Sequence, residues 1–358
     1  MTPPRWAVVA GVLLVGLVIG LGVAVGSSLS SLSPDRHGET AGFVQPSPSP
    51  LPTPSPTVKT PGILGASGRL VTNGSNTVIA TVGSQAIGSA DGGRTWIVVV
   101  APPINSGLAI DSANPRHAIT GGATIQFTND GVAWAPALNP PPGKGPYQPL
   151  AISSLEPNVW LFAHQGRLLV TRDGSATWSE SSVPQLSNPI VVPGQALGQF
   201  YLASGNRVFQ LASYGQSVTE QPAVAQGAVT EMAVVSGNHP TLLVRVAGHG
   251  DYLLTGSSWQ ATGGSFSGPV AAGGNGTILV GNGGAKLGSP GLISYSTNGG
   301  ATWVPGSGLP SDQTVEAIAG HAGSATFFAY CYGGDLYVSN DGGGSWALVS
   351  HAMRAGTG

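Results

Sequence analysis

Five stretches of this chain repeat one pattern: a small hydroxyl residue, any residue, Asp or Asn, Gly, a short spacer, then Trp. They run from Ser89 through Asp91 to Trp96, from Thr128 through Asp130 to Trp134, from Thr171 through Asp173 to Trp178, from Ser296 through Asn298 to Trp303, and from Ser339 through Asp341 to Trp346. An Asp or Asn side chain accepts hydrogen bonds from backbone amides just ahead of it, glycine tolerates positive φ, and a hydroxyl satisfies further backbone groups. The pattern therefore predicts a tight corner between two strands. Its Trp opens the second strand and offers a large apolar body to a neighbouring layer. The acidic residues are expected to be structural.

The spacing of these corners constrains the rest. From about residue 63 onward, short apolar runs alternate with Gly-rich turns, and no helical periodicity is present. The gap between Trp178 and Trp303 equals three repeats, so two degenerate corners are expected inside it. Ser213-Tyr214-Gly215-Gln216-Ser217-Val218 and Thr255-Gly256-Ser257-Ser258-Trp259 fall where needed. Positions 96, 134, 178, 218, 259, 303 and 346 are then 38 to 44 residues apart, the length of one four-stranded blade. The expected fold is all-β: a seven-bladed β-propeller over residues 63–350. In the second repeat the strands are read as Gly107 to Asp111, His117 to Thr120, Thr124 to Phe127 and Trp134 to Leu138. Ring closure is left between packing of the first blade on the last and a strand from residues 63–72.

The corners resemble the Asp-box, or BNR repeat, of sialidases, sortilin-type receptors, certain glucan hydrolases and photosynthesis-assembly factors. That resemblance implies a corner between the third and fourth strands of each blade, with Asp91, Trp96, Asp130, Trp134, Asp173, Trp178, Asn298, Trp303, Asp341 and Trp346 in structural roles. It implies little about activity, because unrelated functions share the box. Asp111-Ser112-Ala113-Asn114-Pro115 is similar to the Asp-x-x-x-Pro turn of such repeats.

Ahead of the repeats, residues 6–26 form an apolar run without a charge. At ~1.5 Å per residue it reaches ~31 Å, the hydrocarbon thickness of a bilayer. It reads as a signal anchor, with a cleaved signal peptide as the rival. Arg5 precedes it, which favours residues 1–5 inside the cytoplasm and the rest of the chain outside. Residues 27–62 include Gln45 to Pro56, in which proline alternates with small residues, and this reads as a stiff polyproline stalk. Residues 351–358 read as a disordered tail.

Composition excludes several functions. Only 8% of residues are charged and the formal net charge is -2, which argues against nucleic acid as a partner. The lone Cys331 forms no intramolecular disulfide and reads as a small apolar strand residue. Neither a cofactor motif nor metal-ligand spacing is present.

Propeller geometry sorts the loops by face. Corner turns and the turns between first and second strands share one face. Turns between second and third strands, with the connections between blades, share the other, around the central channel. The binding candidates there are His164, Arg207, His249, Asp251, Lys286, Tyr332 and Asp335. Gln85, Gln165, Asn206 and Asn282 accompany them, and the connection after the second blade adds Lys144 and Tyr147. No catalytic residue is assigned. A sialidase holds its substrate carboxylate with three arginines and carries an early Arg-Ile-Pro-like motif, which is missing here. Any other glycosidase needs two facing carboxylates, for which only Asp251 and Asp335 offer themselves. The expected function is a membrane-tethered, extracytoplasmic, non-catalytic binding or assembly module for a protein or glycan, similar to photosynthesis-assembly-factor-like propellers; a glycoside hydrolase is the alternative. The basic patch of the photosynthetic members is not matched.

Overall fold

Each repeat folds into four consecutive antiparallel strands, and seven such sheets follow one another along the chain. The computed structural model describes residues 69–351 apart from 83–84, 101–106, 115, 132, 237–240, 264–267, 282–291, 312 and 332–333. The expected membrane helix at 6–26, the stalk at 27–62 and the tail beyond His351 lie outside the described residues. Among those described, no helix is long and apolar enough to cross a membrane.

The blades occupy residues 69–100, 108–136, 147–180, 190–220, 229–261, 270–305 and 315–350. Their first strands neighbour one another around a ring and so lie innermost. The second strands are the most buried. Trp160–His164, Phe200–Ser204 and Phe327–Cys331 are buried at every position, because each sheet is covered on both faces by the adjoining blades, and such strands read as unbroken apolar runs rather than alternating ones. Cys331 is fully buried in this way. The outermost strands are short in three blades, Ala135–Pro136, Ser179–Glu180 and Val304–Pro305. Proline or charge on a short edge blocks pairing with another chain.

The corners occupy the expected place between third and fourth strands, including the two degenerate ones. Their chemistry recurs. In the first blade Ser89 Oγ donates to Asp91 Oδ1 at 2.7 Å and accepts from Gly93 N at 2.8 Å. Asp91 also accepts from Thr95 N at 2.8 Å and from Thr95 Oγ1 at 2.6 Å. The corner from Thr171 to Trp178 and that from Ser339 to Trp346 repeat these bonds. Asn298 keeps them with an amide, accepting from Thr302 N and donating from Nδ2 to Thr302 Oγ1. Burial opposes ionisation of Asp91 and Asp341, but the hydroxyl and amide donors outweigh it, and both carboxyls are lowered to about 2.

Trp178, Trp259, Trp303 and Trp346 reach back to the preceding blade or to the connection leading from it. Trp178 donates to Asn139 O, in the connection from the second blade, at 2.7 Å and packs edge-on to Phe162 of its own blade, and Trp259 donates to Pro222 O at 2.7 Å. Trp303 packs with Leu243 and Leu253, and Trp346 with Leu292 and Ile293.

Among the described residues no strand is shared between the first and last blades. The segment Arg69–Thr72 is the innermost strand of the first blade itself, so the ring closes by packing. Leu70, Val78, Ala80, Ile87 and Trp96 meet Ala317, Phe328, Tyr330 and Leu336 across the seam. Gly93, at φ +91°, lies so close beneath Leu336 that a Cβ there would come within 2.3 Å of its Cδ2. The seam therefore constrains this glycine by space as well as by backbone angle.

Candidate functional site

Hydrogen bonds fix which loops share a face. Corner amides bond to the turn between first and second strands of the same blade: Gly92 N to Asn76 O, Gly174 N to Asn158 O, Tyr214 N to Gly198 O and Gly342 N to Ala325 O, at 2.7 to 3.0 Å. On the opposite face, the turn between second and third strands bonds to the connection leading into the next blade. Tyr147 N donates to Gly122 O, Leu186 N to Gly166 O and Val229 N to Gly205 O.

The corner end of the channel is drawn together in one sector. Ser236 O accepts from Gly276 N at 2.5 Å, Ser324 O accepts from Gly274 N at 2.7 Å, and the hydroxyls of Ser236 and Ser324 bond to Gly273 O and Gly74 O. These bonds join the first turns of the fifth, sixth, seventh and first blades. The other end is the mouth.

The first strand of every blade starts at the mouth, and its initial residues form a ring. Leu70, Leu108, Ile190 and Val270 are half-buried there, Gln148 and Thr230 are exposed, and Glu316 is half-buried. Each apolar member packs partly against clusters between the blades. Ile110, Val192 and Ala233, farther along the same strands, are half-buried as well. Burial pushes the Glu316 carboxyl up. The mouth is thus mainly apolar at its inner rim.

The polar candidates lie around this rim and are largely committed to one another. Asp251 is buried, and both carboxylate oxygens accept from Arg245, Oδ1 from Nε at 2.7 Å and Oδ2 from Nη2 at 2.9 Å. Glu231, Arg245 and Asp251 sit opposite one another on the first three strands of the fifth blade. Glu231 Oε2 lies 3.7 Å from Arg245 Nη1 and accepts from Val270 N of the sixth blade at 2.9 Å. Asp335 is also buried, 2.7 Å from His351 Nδ1 and accepting from Gln313 Nε2 at 2.9 Å. Burial first, then the charges of Glu316 and Asp335, push the Tyr330 hydroxyl and the Cys331 thiol up to about 12. Cys331 is therefore an unreactive core thiol.

Arg207 opens the third strand of the fourth blade and pairs in bidentate fashion with Glu220 on the outermost strand, at 2.7 Å for both bonds. In the third blade Arg167 Nη1 donates to Glu180 Oε2 at 2.9 Å. His164 ends a second strand, is buried, and stacks on Tyr147 with ring centroids 4.3 Å apart; its Nδ1 lies 3.3 Å from Pro146 O. Tyr147 is buried too and donates to Pro141 O at 2.9 Å. Lys144, Gln165, Asn206 and His249 are exposed. For Gln85 only the backbone is described, and Asn282, Lys286 and Tyr332 lie outside the described residues. No group of three His, Cys, Asp or Glu among the described residues is placed to hold a metal ion.

Sequence reasoning missed Arg245, Gln313, His351 and the apolar rim. Arg245 becomes visible only through register, which sets it opposite Asp251. The rim residues look like any other strand residue until their strand is known to be innermost.

The sequence matches no family model, and it matches no curated protein. Solved structures are similar in fold. A GH74 enzyme from Niastella koreensis aligns with a TM-score of 0.51 at 18% identity over 79% of this chain. The chain spans 42% of that enzyme's length. A YCF48 protein solved with a D1 peptide bound gives 0.50 at 14% identity, over 84% of this chain and 90% of its own. The propeller domain of Cps50 (Swd1) from Myceliophteria thermophila gives 0.52 at 10% identity, over 76% and 95%. The chain is a seven-bladed β-propeller whose structural neighbours include GH74 and YCF48 propellers.

Proposed function

We propose that this chain is a non-catalytic binding module that takes a polypeptide partner at the mouth of its propeller. The propeller is held outside the cytoplasm by the anchor at residues 6–26 and the proline-rich stalk, and its corners are Asp-box repeats. The apolar inner rim carries this reading. Half-buried leucine, isoleucine and valine at the starts of the innermost strands suit side chains of an incoming segment, and an apolar centre inside a polar rim is how protein interfaces are built. A polypeptide partner also accords with the YCF48 neighbour, which was solved with a D1 peptide bound.

Hydrolysis of glycosides fits the side chains less well. A glycosidase needs two carboxyl groups free to exchange protons and facing one sugar. Asp251 has both oxygens closed by Arg245, and Asp335 is buried against His351 and Gln313. The likeness to the GH74 enzyme supports the fold alone.

The test is capture by the full chain from envelope extracts, with Ile190→Asp and Val270→Asp at the mouth against Leu155→Asp and Leu197→Asp on the corner face. Loss of one partner with the mouth variants only is the expected result. A partner that is a glycan would be released by glycosidase treatment of the extract. Turnover of aryl glycosides by the unmodified protein, abolished in Asp335→Asn, would overturn the non-catalytic reading.

A further inference from the structure

We propose that Glu316 receives a basic side chain, lysine or arginine, of the polypeptide that docks at the mouth. This rests on the mouth being the binding surface, and it adds the chemistry the partner must bring: an aliphatic stem ending in a cation.

The carboxylates around the mouth are otherwise committed. Asp251 is closed by Arg245, and Asp335 by His351 and Gln313. Glu180 accepts from Arg167, Glu220 from Arg207, and Glu231 from Val270 N. Glu316 differs. Among the described residues it is the one carboxylate with neither a hydrogen bond nor an ion pair, although it is half-buried. A desolvated carboxylate without a counter-ion opposes folding, and a group that breaks a local rule with no gain inside the chain marks a functional position.

The backbone holds it at the rim. Strand Val315–Ala319 starts at the mouth, because the turn after it lies on the corner face, where Ala325 O accepts from Gly342 N. Val315 stands opposite Cys331 and Ala317 opposite Tyr330, so Glu316 between them is a bulged residue with no counterpart on the next strand. A bulge re-aims its side chain, and bulges concentrate beside functional sites. The Glu316 charge acts on both the Tyr330 hydroxyl and the Cys331 thiol, which keeps the carboxylate at this end of the blade.

The surroundings select the kind of cation. Around the ring, the strand of Glu316 lies between the innermost strands of the sixth and first blades. Their rim members Val270 and Leu70 are half-buried, and Leu70 packs with Ala317 and Tyr330. A lysine or arginine lays its methylene stem on such apolar surface and keeps its charged head at a polar group. A metal ion would gain nothing from the apolar neighbours, and the committed carboxylates leave it short of ligands.

The test measures binding of two dye-labelled peptides to the full chain by fluorescence anisotropy: Leu-Lys-Leu-amide, and the same peptide with norleucine, which keeps the stem and removes the charge. The expected result is about tenfold higher affinity for the lysine peptide, a ratio of about one in Glu316→Gln with the norleucine affinity unchanged, and weaker binding of both peptides in Ile190→Ser. Glu316→Gln keeps the size of the side chain and removes the desolvated charge, so it remains folded. Equal affinity for the two peptides in the unaltered chain, both weakened by Ile190→Ser, overturns the role of Glu316 and leaves the mouth as the binding surface. A lysine preference that persists in Glu316→Gln places the cation elsewhere and overturns it too. No binding of either peptide, or binding indifferent to Ile190→Ser, overturns the role of Glu316 and the mouth reading together.

Discussion

Changing Gly93 to Ala tests how the ring is closed. The glycine has φ +91°, and an added Cβ would lie 2.3 Å from Leu336 Cδ2 and 3.3 Å from Val349 Cγ1, both in the last blade. Leu336 is fully buried beside Val78 and Phe328, so it has little room to retreat. Two costs add. Placing an L side chain in the left-handed region costs about 1–2 kcal/mol, and overpacking a filled core costs about 1–3 kcal/mol. Gly92→Ala supplies the control, because that residue has φ +74° but a Cβ there meets only Arg94 Nη1, at 4.0 Å. It bears the backbone cost alone. Equilibrium urea unfolding should therefore place Gly93→Ala about 1–3 kcal/mol below Gly92→Ala. Adding Leu336→Ala to each should narrow that difference, since the obstructing methyl is gone, whereas independent sites would add. Equal losses for the two glycine variants, or no narrowing with Leu336→Ala, would refute closure by direct contact of the first blade with the last.

Other outcomes follow from the same geometry. Asp91 and Asp341 have folded-state carboxyls near 2 against an ordinary 3.8, so their contribution is present above about pH 4 and is lost as pH falls through 2. Asp341→Asn, which copies the natural Asn298 corner, should flatten the pH dependence of unfolding between pH 4 and 2 and change little else in the circular dichroism spectrum. Burial raises the Glu316 carboxyl, so ionising it opposes folding as pH rises past its unfolded value; Glu316→Gln should raise the melting temperature at pH 7 and not at pH 4. Removing one member of the buried Arg245–Asp251 pair should cost about 3–5 kcal/mol, and replacing both with apolar residues of similar volume should cost less; a double-mutant cycle by urea unfolding checks this.

The fold was legible because its signal is a recurrent corner whose chemistry is local. Ser339, Asp341, Gly343 and Ser345 make their bonds to one another, so the pattern survives as sequence. Even the degenerate corners at Tyr214 and Trp259 lie between third and fourth strands as their spacing demanded. The site was less legible, because its properties arise between blades or between strands. His164 reads as a polar turn residue, yet it ends a strand and is buried against Tyr147. Arg207 reads as a cation near the channel, yet its partner is Glu220 on the outermost strand. Leu108 and Ile190 carry no mark in the sequence, since their half-burial follows only from an innermost position in a closed ring.

The proposed binding role places the partner at the mouth. Its most direct test is retention of captured protein by the full chain carrying Leu108→Asp, set beside the chain carrying Leu155→Asp on the corner face. At least a tenfold drop in retention with Leu108→Asp alone is predicted; equal retention by both, or a drop confined to Leu155→Asp, would contradict it.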